Sequence, residues 1–204
     1  MQKRKRELSL AIAPYWIAGA LLEIAWLFLF TAATIRTFAA AAVALVYASA
    51  AFAQALFIVD PPDAPKAFNR DLSGLVAAGS ALNAAWLSVA SAVSILTFLP
   101  FPTEQVELAA VLLACVAGIG LLISIRTCSI AYPLTLVWAL VAVVLVGDRE
   151  RSIRVLAGLV AGLSAFTALI NIALRVMGSG LGSKAAEAED GDGDVEAPDA
   201  TNAV

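Results

Sequence analysis

The sequence predicts an all-α, polytopic membrane bundle of about six transmembrane helices, N-in and C-in, arranged as three helical hairpins. Three observations carry this prediction. Apolar runs of about 20 residues, the length that spans a hydrocarbon core, recur six times between polar or proline-rich breaks. The chain is 61% hydrophobic and 14% charged over 204 residues, against roughly 45–50% apolar and about 25% charged in a soluble domain. The basic residues also divide unevenly. Nine (Lys3, Arg4, Lys5, Arg6, Lys66, Arg70, Arg126, Arg175 and Lys184) fall on the side of both termini, and four (Arg36, Arg149, Arg151 and Arg154) on the other, which is the positive-inside bias.

Taken in order, residues 1–7 form a basic segment expected in the cytoplasm, and the first apolar run is 8–34. That run is too long for the apolar core of a signal peptide and is interrupted by Glu23, so an uncleaved first helix is expected. The second run, 37–59, stops at Asp60-Pro61-Pro62-Asp63-Ala64-Pro65, where proline removes donors and blocks a helical turn. The third, 72–99, ends at Leu99-Pro100-Phe101-Pro102, and Thr103 reads as the N-cap of the fourth, 106–125. The fifth, 128–146, closes at Gly147-Asp148, and the sixth covers 153–177. Pro14 and Pro133 lie near the starts of helices one and five, where a missing N–H costs least.

The transmembrane domain is therefore 8–177, followed by an acidic tail at 178–204. Seven of the sixteen acidic residues (Glu187, Glu189, Asp190, Asp192, Asp194, Glu196 and Asp199) lie in that tail, so the net charge of −3 says little about the bundle. Lacking bulky apolar residues, the tail is expected to be disordered, either as a plain solvated terminus or as an interaction segment.

The sequence excludes several chemistries. It has no histidine, so a His-based general base or triad is impossible. Cys115 and Cys128 are too few for a zinc site and read as small apolar packing residues rather than a disulfide. No phosphate-binding or dinucleotide fingerprint occurs, and Gly118-Ile-Gly120 lacks the remaining glycine. The basic residues form no nucleic-acid footprint. No enzyme, no metal and no nucleic-acid partner are expected.

Two patterns remain as candidates. Glu23 is the one ionisable residue well inside a predicted span, where charge is costly and a functional role is the default reading. The alternative is a neutral Glu bridging helices. The second pattern recurs: Glu23-x-x-Trp26 on helix one, Asn83-x-x-Trp86 on helix three and Thr135-x-x-Trp138 on helix five. An i, i+3 spacing places both side chains on one helical face. Gln54 and Asn171 add polar groups on even helices. Trp16 fits the usual interfacial position of tryptophan, and the other three do not. A belt of indoles with hydrogen-bonding neighbours suits a flat lipophilic ligand, although Trp can equally fill volume while Asn and Thr join helices. Small residues at four-residue spacing (Gly158 and Gly162 with Ala157, Ala161 and Ala165; Ala110, Ala114 and Gly118) allow close backbone approach, either inside the bundle or to another subunit in a homo- or hetero-oligomer.

The segments YWIAGALLEIAWLF (15–28), NRDLSGLVAAGSALNAAWLSVAS (69–91) and AYPLTLVWALVAVV (131–144) resemble the tryptophan-rich sensory protein, or translocator-like, membrane family. The resemblance covers most of residues 13–175. It implies a helical membrane protein that binds porphyrins or sterols, with a tetrapyrrole or a lipid as ligand. Trp26, Asn83, Trp86 and Trp138 match the family positions and are implied to line its cavity. The family's Pro-x-Trp-rich loop and early aromatic-rich helix are missing, and Glu23 stands where the family has Asn.

Three functions follow as expectations. One is a Trp-lined intramembrane cavity, with Glu23, Trp26, Asn83, Trp86, Thr135 and Trp138 binding or transporting a lipophile. Another is a non-catalytic accessory subunit of a larger membrane complex. The third is a proton-coupled transporter using Glu23.

Overall fold

The computed structural model describes residues 2–32, 34–59, 72–97, 102–145 and 151–190. Among them the chain is entirely helical, in six helices: α1 (Gln2–Thr31), α2 (Ile35–Val59), α3 (Leu72–Thr97), α4 (Pro102–Thr127), α5 (Ala131–Leu145) and α6 (Arg151–Asp190). Five are long and apolar enough to cross a bilayer, and α5 is a shorter apolar helix of 15 residues. The chain is an integral, multi-pass membrane protein. Its many large apolar side chains that face outward, such as Leu75, Phe28 and Leu145, face lipid, which solvates them as well as a core would.

The boundaries show where local chemistry overrode hydropathy. Thr34 was expected to end helix one, but it caps α2. The Thr34 N–H donates to the Thr37 hydroxyl at 3.0 Å and the Thr37 N–H donates to the Thr34 hydroxyl at 3.2 Å, a reciprocal capping box that satisfies two orphan donors. The fourth helix begins at Pro102, ahead of the expected Thr103 cap, because proline fits the first helical position. The basic residues from Lys3 to Arg6 form the opening turns of α1 rather than a separate segment, and this places Pro14 inside the helix. At the other end α6 continues past Met177 to Asp190, into the segment expected to be disordered. Ala185, Ala186, Glu187, Ala188 and Glu189 all carry good helix propensity. Residues 191–204, the proline loop at 60–65, Lys66, Arg70 and Gly147-Asp148 lie outside the described residues.

Helix α2 packs between α1 and α3, α5 joins α3 to α6, and α4 lies against α6, α3 and α5. Alanine makes this contact close: Ala41, Ala48 and Ala55 of α2 and Ala81, Ala84 and Ala85 of α3 are fully buried. Leu45, Phe52, Leu56, Tyr132, Leu136 and Leu140 fill the remaining core.

The α4–α5 link is rich in polar contacts. Cys128 takes a left-handed conformation at φ 49°, a geometry that commonly ends a helix though usually with Gly. Ser129 caps α5 by accepting the Tyr132 N–H at 3.3 Å. Pro133 has no N–H to bond the Ser129 carbonyl, and Asn171 of α6 supplies the donor instead, its Nδ2 at 2.7 Å. Arg175 Nε donates to the Cys128 carbonyl at 2.9 Å. The C-terminal half of α6 thus satisfies carbonyls that the turn and the proline leave open.

Candidate functional site

The three polar-x-x-Trp pairs share a pattern but not an environment. On α3 and α5 the tryptophans meet: the Trp86 and Trp138 rings lie 5.2 Å apart between centroids, inclined by 39°. Both are turned outward, with Trp86 41% and Trp138 64% exposed, so this pair faces the hydrocarbon near the middle of both helices. Asn83, one turn before Trp86, is half-buried, and its amide has no hydrogen-bond partner among the described residues. Thr135 is buried and donates its hydroxyl to the Ala131 carbonyl of its own helix at 2.8 Å, which leaves only its acceptor capacity for another molecule.

The pair on α1 sits apart from these. Trp26 packs against Phe30 at 5.7 Å, and Phe30 against Phe38 of α2 at 5.2 Å, so its ring belongs to an α1–α2 aromatic row. Its Nε1–H is buried and has no acceptor among the described residues. Glu23 is half-buried, three residues earlier, with no hydrogen-bond or ion-pair partner among the described residues. Two polar groups without partners among the described residues therefore lie on adjacent turns of α1, and the buried one, the Trp26 N–H, costs on the order of 1–3 kcal/mol.

Trp16, expected at the membrane interface, serves as a packing anchor. Its Nε1 donates to the Ser80 hydroxyl of α3 at 3.0 Å, and its ring meets Phe52 of α2 edge-on at 5.2 Å. Two glycines make room. A Cβ on Gly19 would stand 2.6 Å from the Phe52 ring, and one on Gly79 would stand 3.3 Å from the Trp16 ring. Small residues on facing helices near a Trp are the sequence signal for this anchor. A second polar cluster also went unforeseen. The Ser49 and Ser88 hydroxyls lie 2.9 Å apart, each 2.8 Å from the Ala84 carbonyl, and Tyr132 Oη approaches Ser88 at 3.4 Å. It joins α2, α3 and α5 with groups that hydropathy counts as nearly neutral.

With this geometry in place, comparison with known proteins decides the family. The family model described as TSPO-like protein matches residues 1–170. The chain belongs to the TSPO-like protein family. The match takes in α1 to α5 and the first half of α6, so the TSPO-like part of the chain contains all six candidate residues. This bears out the resemblance read from the tryptophan-bearing segments. No curated protein and no solved structure matches the chain. Among the described residues of this TSPO-like protein no cluster of three metal-ligating side chains occurs.

Proposed function

We propose that this TSPO-like membrane protein binds a flat lipophilic molecule, of tetrapyrrole or sterol type, on the lipid-facing surface formed by Trp86 and Trp138, and that it does so without catalysing a reaction. The observation that carries the reading is the Trp86–Trp138 pair, two exposed indoles side by side in mid-span. Other aromatic side chains that face outward at mid-span, Tyr47 and Phe166, are not tryptophans; among the described residues Trp86 and Trp138 are the two indoles in ring contact. Stacking on indole faces suits an extended aromatic or polycyclic surface, and the unengaged amide of Asn83 one turn away supplies a donor and an acceptor for a polar edge. Access is lateral, from the bilayer, where such molecules partition.

The test is tryptophan fluorescence of the purified protein titrated with protoporphyrin and with a sterol. Saturable quenching by one of them, abolished in Trp86→Ala and in Trp138→Ala, is the expected result. Quenching that is absent, or unchanged in both variants, overturns the proposal.

A second reading, assembly with another subunit, is favoured by α6. Gly158 and Gly162 are exposed, and a Cβ on Gly162 would meet nothing within 4 Å. A small-xxx-small face turned to lipid is the geometry by which membrane helices approach each other closely. Gly162→Leu lowering the mass of the particle in mild detergent supports this reading, and an unchanged monomer removes it.

A further inference from the structure

On the side of α3 away from Trp86 the surface is concave. An apolar groove of about 520 Å³ runs between α2, α3 and α4, lined by Ala39, Ala42, Val43, Val46, Tyr47, Ile95 and Leu108. Ile95 follows Trp86 by nine residues, two and a half helical turns, so the groove and the indole pair lie on opposite sides of α3. The groove exists because α2 presents alanine where a larger side chain would bridge to α4. Its length along α2, from Ala39 to Tyr47, is roughly 12 Å at 1.5 Å per residue. It lies within the spans Arg36–Val59, Gly74–Leu96 and Val106–Thr127, so it opens into hydrocarbon and not into water.

One charge stands at its end. Arg36 begins the α2 span, and it precedes Ala39 by three residues and Val43 by seven. Those intervals put it on the same face of the helix as the groove lining. It is exposed, and no hydrogen bond or ion pair engages its guanidinium among the described residues. Glu107, beside Leu108 on α4, is exposed, and among the described residues it is not paired with Arg36. An apolar channel in the membrane with an exposed cation at its end is complementary to an amphiphile with a chain and an anionic head. A guanidinium is the side chain best matched to phosphate oxygens.

We propose that this groove is a phospholipid site, holding one acyl chain between α2 and α4 with the lipid phosphate on Arg36. The site is separate from the indole surface and binds in the leaflet that contains the α1–α2 turn. A bulk lipid exchanges freely at a smooth helix surface. Here the chain replaces side chains that α2 lacks, and the head is held by charge, so a single lipid is retained.

Native mass spectrometry of the full-length protein, stripped of lipid in detergent and incubated with dioleoylphosphatidylglycerol, tests the site. One retained lipid per chain is expected. Ala39→Phe and Val43→Phe, both at outward positions, fill the groove without disturbing the core and abolish retention. Arg36→Gln weakens it about fivefold, the worth of one basic residue near a charged head group. Dioleoylglycerol, which has the same chains without phosphate, binds the natural protein no better than phosphatidylglycerol binds Arg36→Gln. Leu159→Phe on the distant face of α6 changes nothing. The proposal is overturned if the two groove-filling variants retain the lipid, or if dioleoylglycerol binds as well as phosphatidylglycerol. It is equally overturned if Leu159→Phe weakens retention as much as Ala39→Phe, or if a second copy of the chain or a sterol occupies the groove in preference.

Discussion

Trp16 of α1 donates its indole N–H to the hydroxyl of Ser80 on α3 across 3.0 Å, while its ring stands edge-on to Phe52 of α2. This one side chain ties the most lipid-exposed helix to two others. Ser80 is fully buried, so Trp16→Phe leaves a hydroxyl without its partner. A loss of about 1–2 kcal/mol in stability is expected. Thermal unfolding in detergent measures it, and adding Ser80→Ala to Trp16→Phe recovers part of the loss because both halves of the bond are then gone.

Gly19 tests the same anchor from the other side. Phe52 is 2% exposed and held by Trp16, so it cannot swing away from a Cβ placed 2.6 Å from its ring. Gly19→Val destabilises by about 1–3 kcal/mol, the usual cost of overpacking. Phe52→Leu in the Gly19→Val background restores much of that stability. If Gly19→Val unfolds at the same temperature as the natural protein, α1 does not seat on Phe52 as described.

Asn171 and Pro133 form a coupled pair through the Ser129 carbonyl. Asn171→Leu leaves that buried acceptor empty and costs on the order of 2 kcal/mol. Pro133→Ala restores a backbone N–H that can bond Ser129, so Asn171→Leu is milder in the Pro133→Ala background. A double-mutant cycle with purely additive effects contradicts this assignment.

Ser124 behaves oppositely. Its hydroxyl is buried and has no partner among the described residues, and it lines a notch of about 10 Å³ beside Ser164 and Thr167, whose hydroxyls donate to carbonyls of α6 itself. Ser124→Ala removes an unsatisfied group and leaves stability unchanged or raised by up to about 1 kcal/mol. A marked fall in unfolding temperature means that a bound water satisfies the hydroxyl.

Trp138 separates binding from folding. At 64% exposure its ring contributes little to the core, so Trp138→Ala changes stability by less than about 1 kcal/mol while removing half of the indole pair. Circular dichroism melting and ligand titration on the same sample check both halves of the expectation.

The fold was largely legible in the sequence, and the differences lie at helix ends. Thr34 shows why. Hydropathy scored it with the apolar run before it, whereas its hydroxyl is committed to the N–H of Thr37, a local contact that no window average sees. Pro102 likewise opens α4 because a first-turn residue needs no N–H. The site was less legible. The polar-x-x-Trp pattern pointed to three equivalent pairs, yet only Trp86 and Trp138 meet, and Trp16, set aside as interfacial, is the indole with the inter-helix bond. Periodicity gives the face of each helix but not which neighbour that face meets.

What the sequence by itself determined is that this chain lies in a bilayer, as six helices, within the TSPO-like family. Helix formation in lipid is a local requirement, because each segment must satisfy its own backbone groups, and that requirement is written in the lengths of the apolar runs. What only the tertiary structure decided is the partner of each face. In lipid, an apolar side chain facing a neighbouring helix and one facing a hydrocarbon tail are nearly equal in transfer energy. Hydropathy therefore cannot tell Leu140, fully buried, from Leu145, 76% exposed. The packing of Trp16 against the core and of Trp86 beside Trp138 at the surface rests on shape: glycines at 19 and 79, alanines along α2 and α3, and the hydrogen bonds that only assembled helices can make.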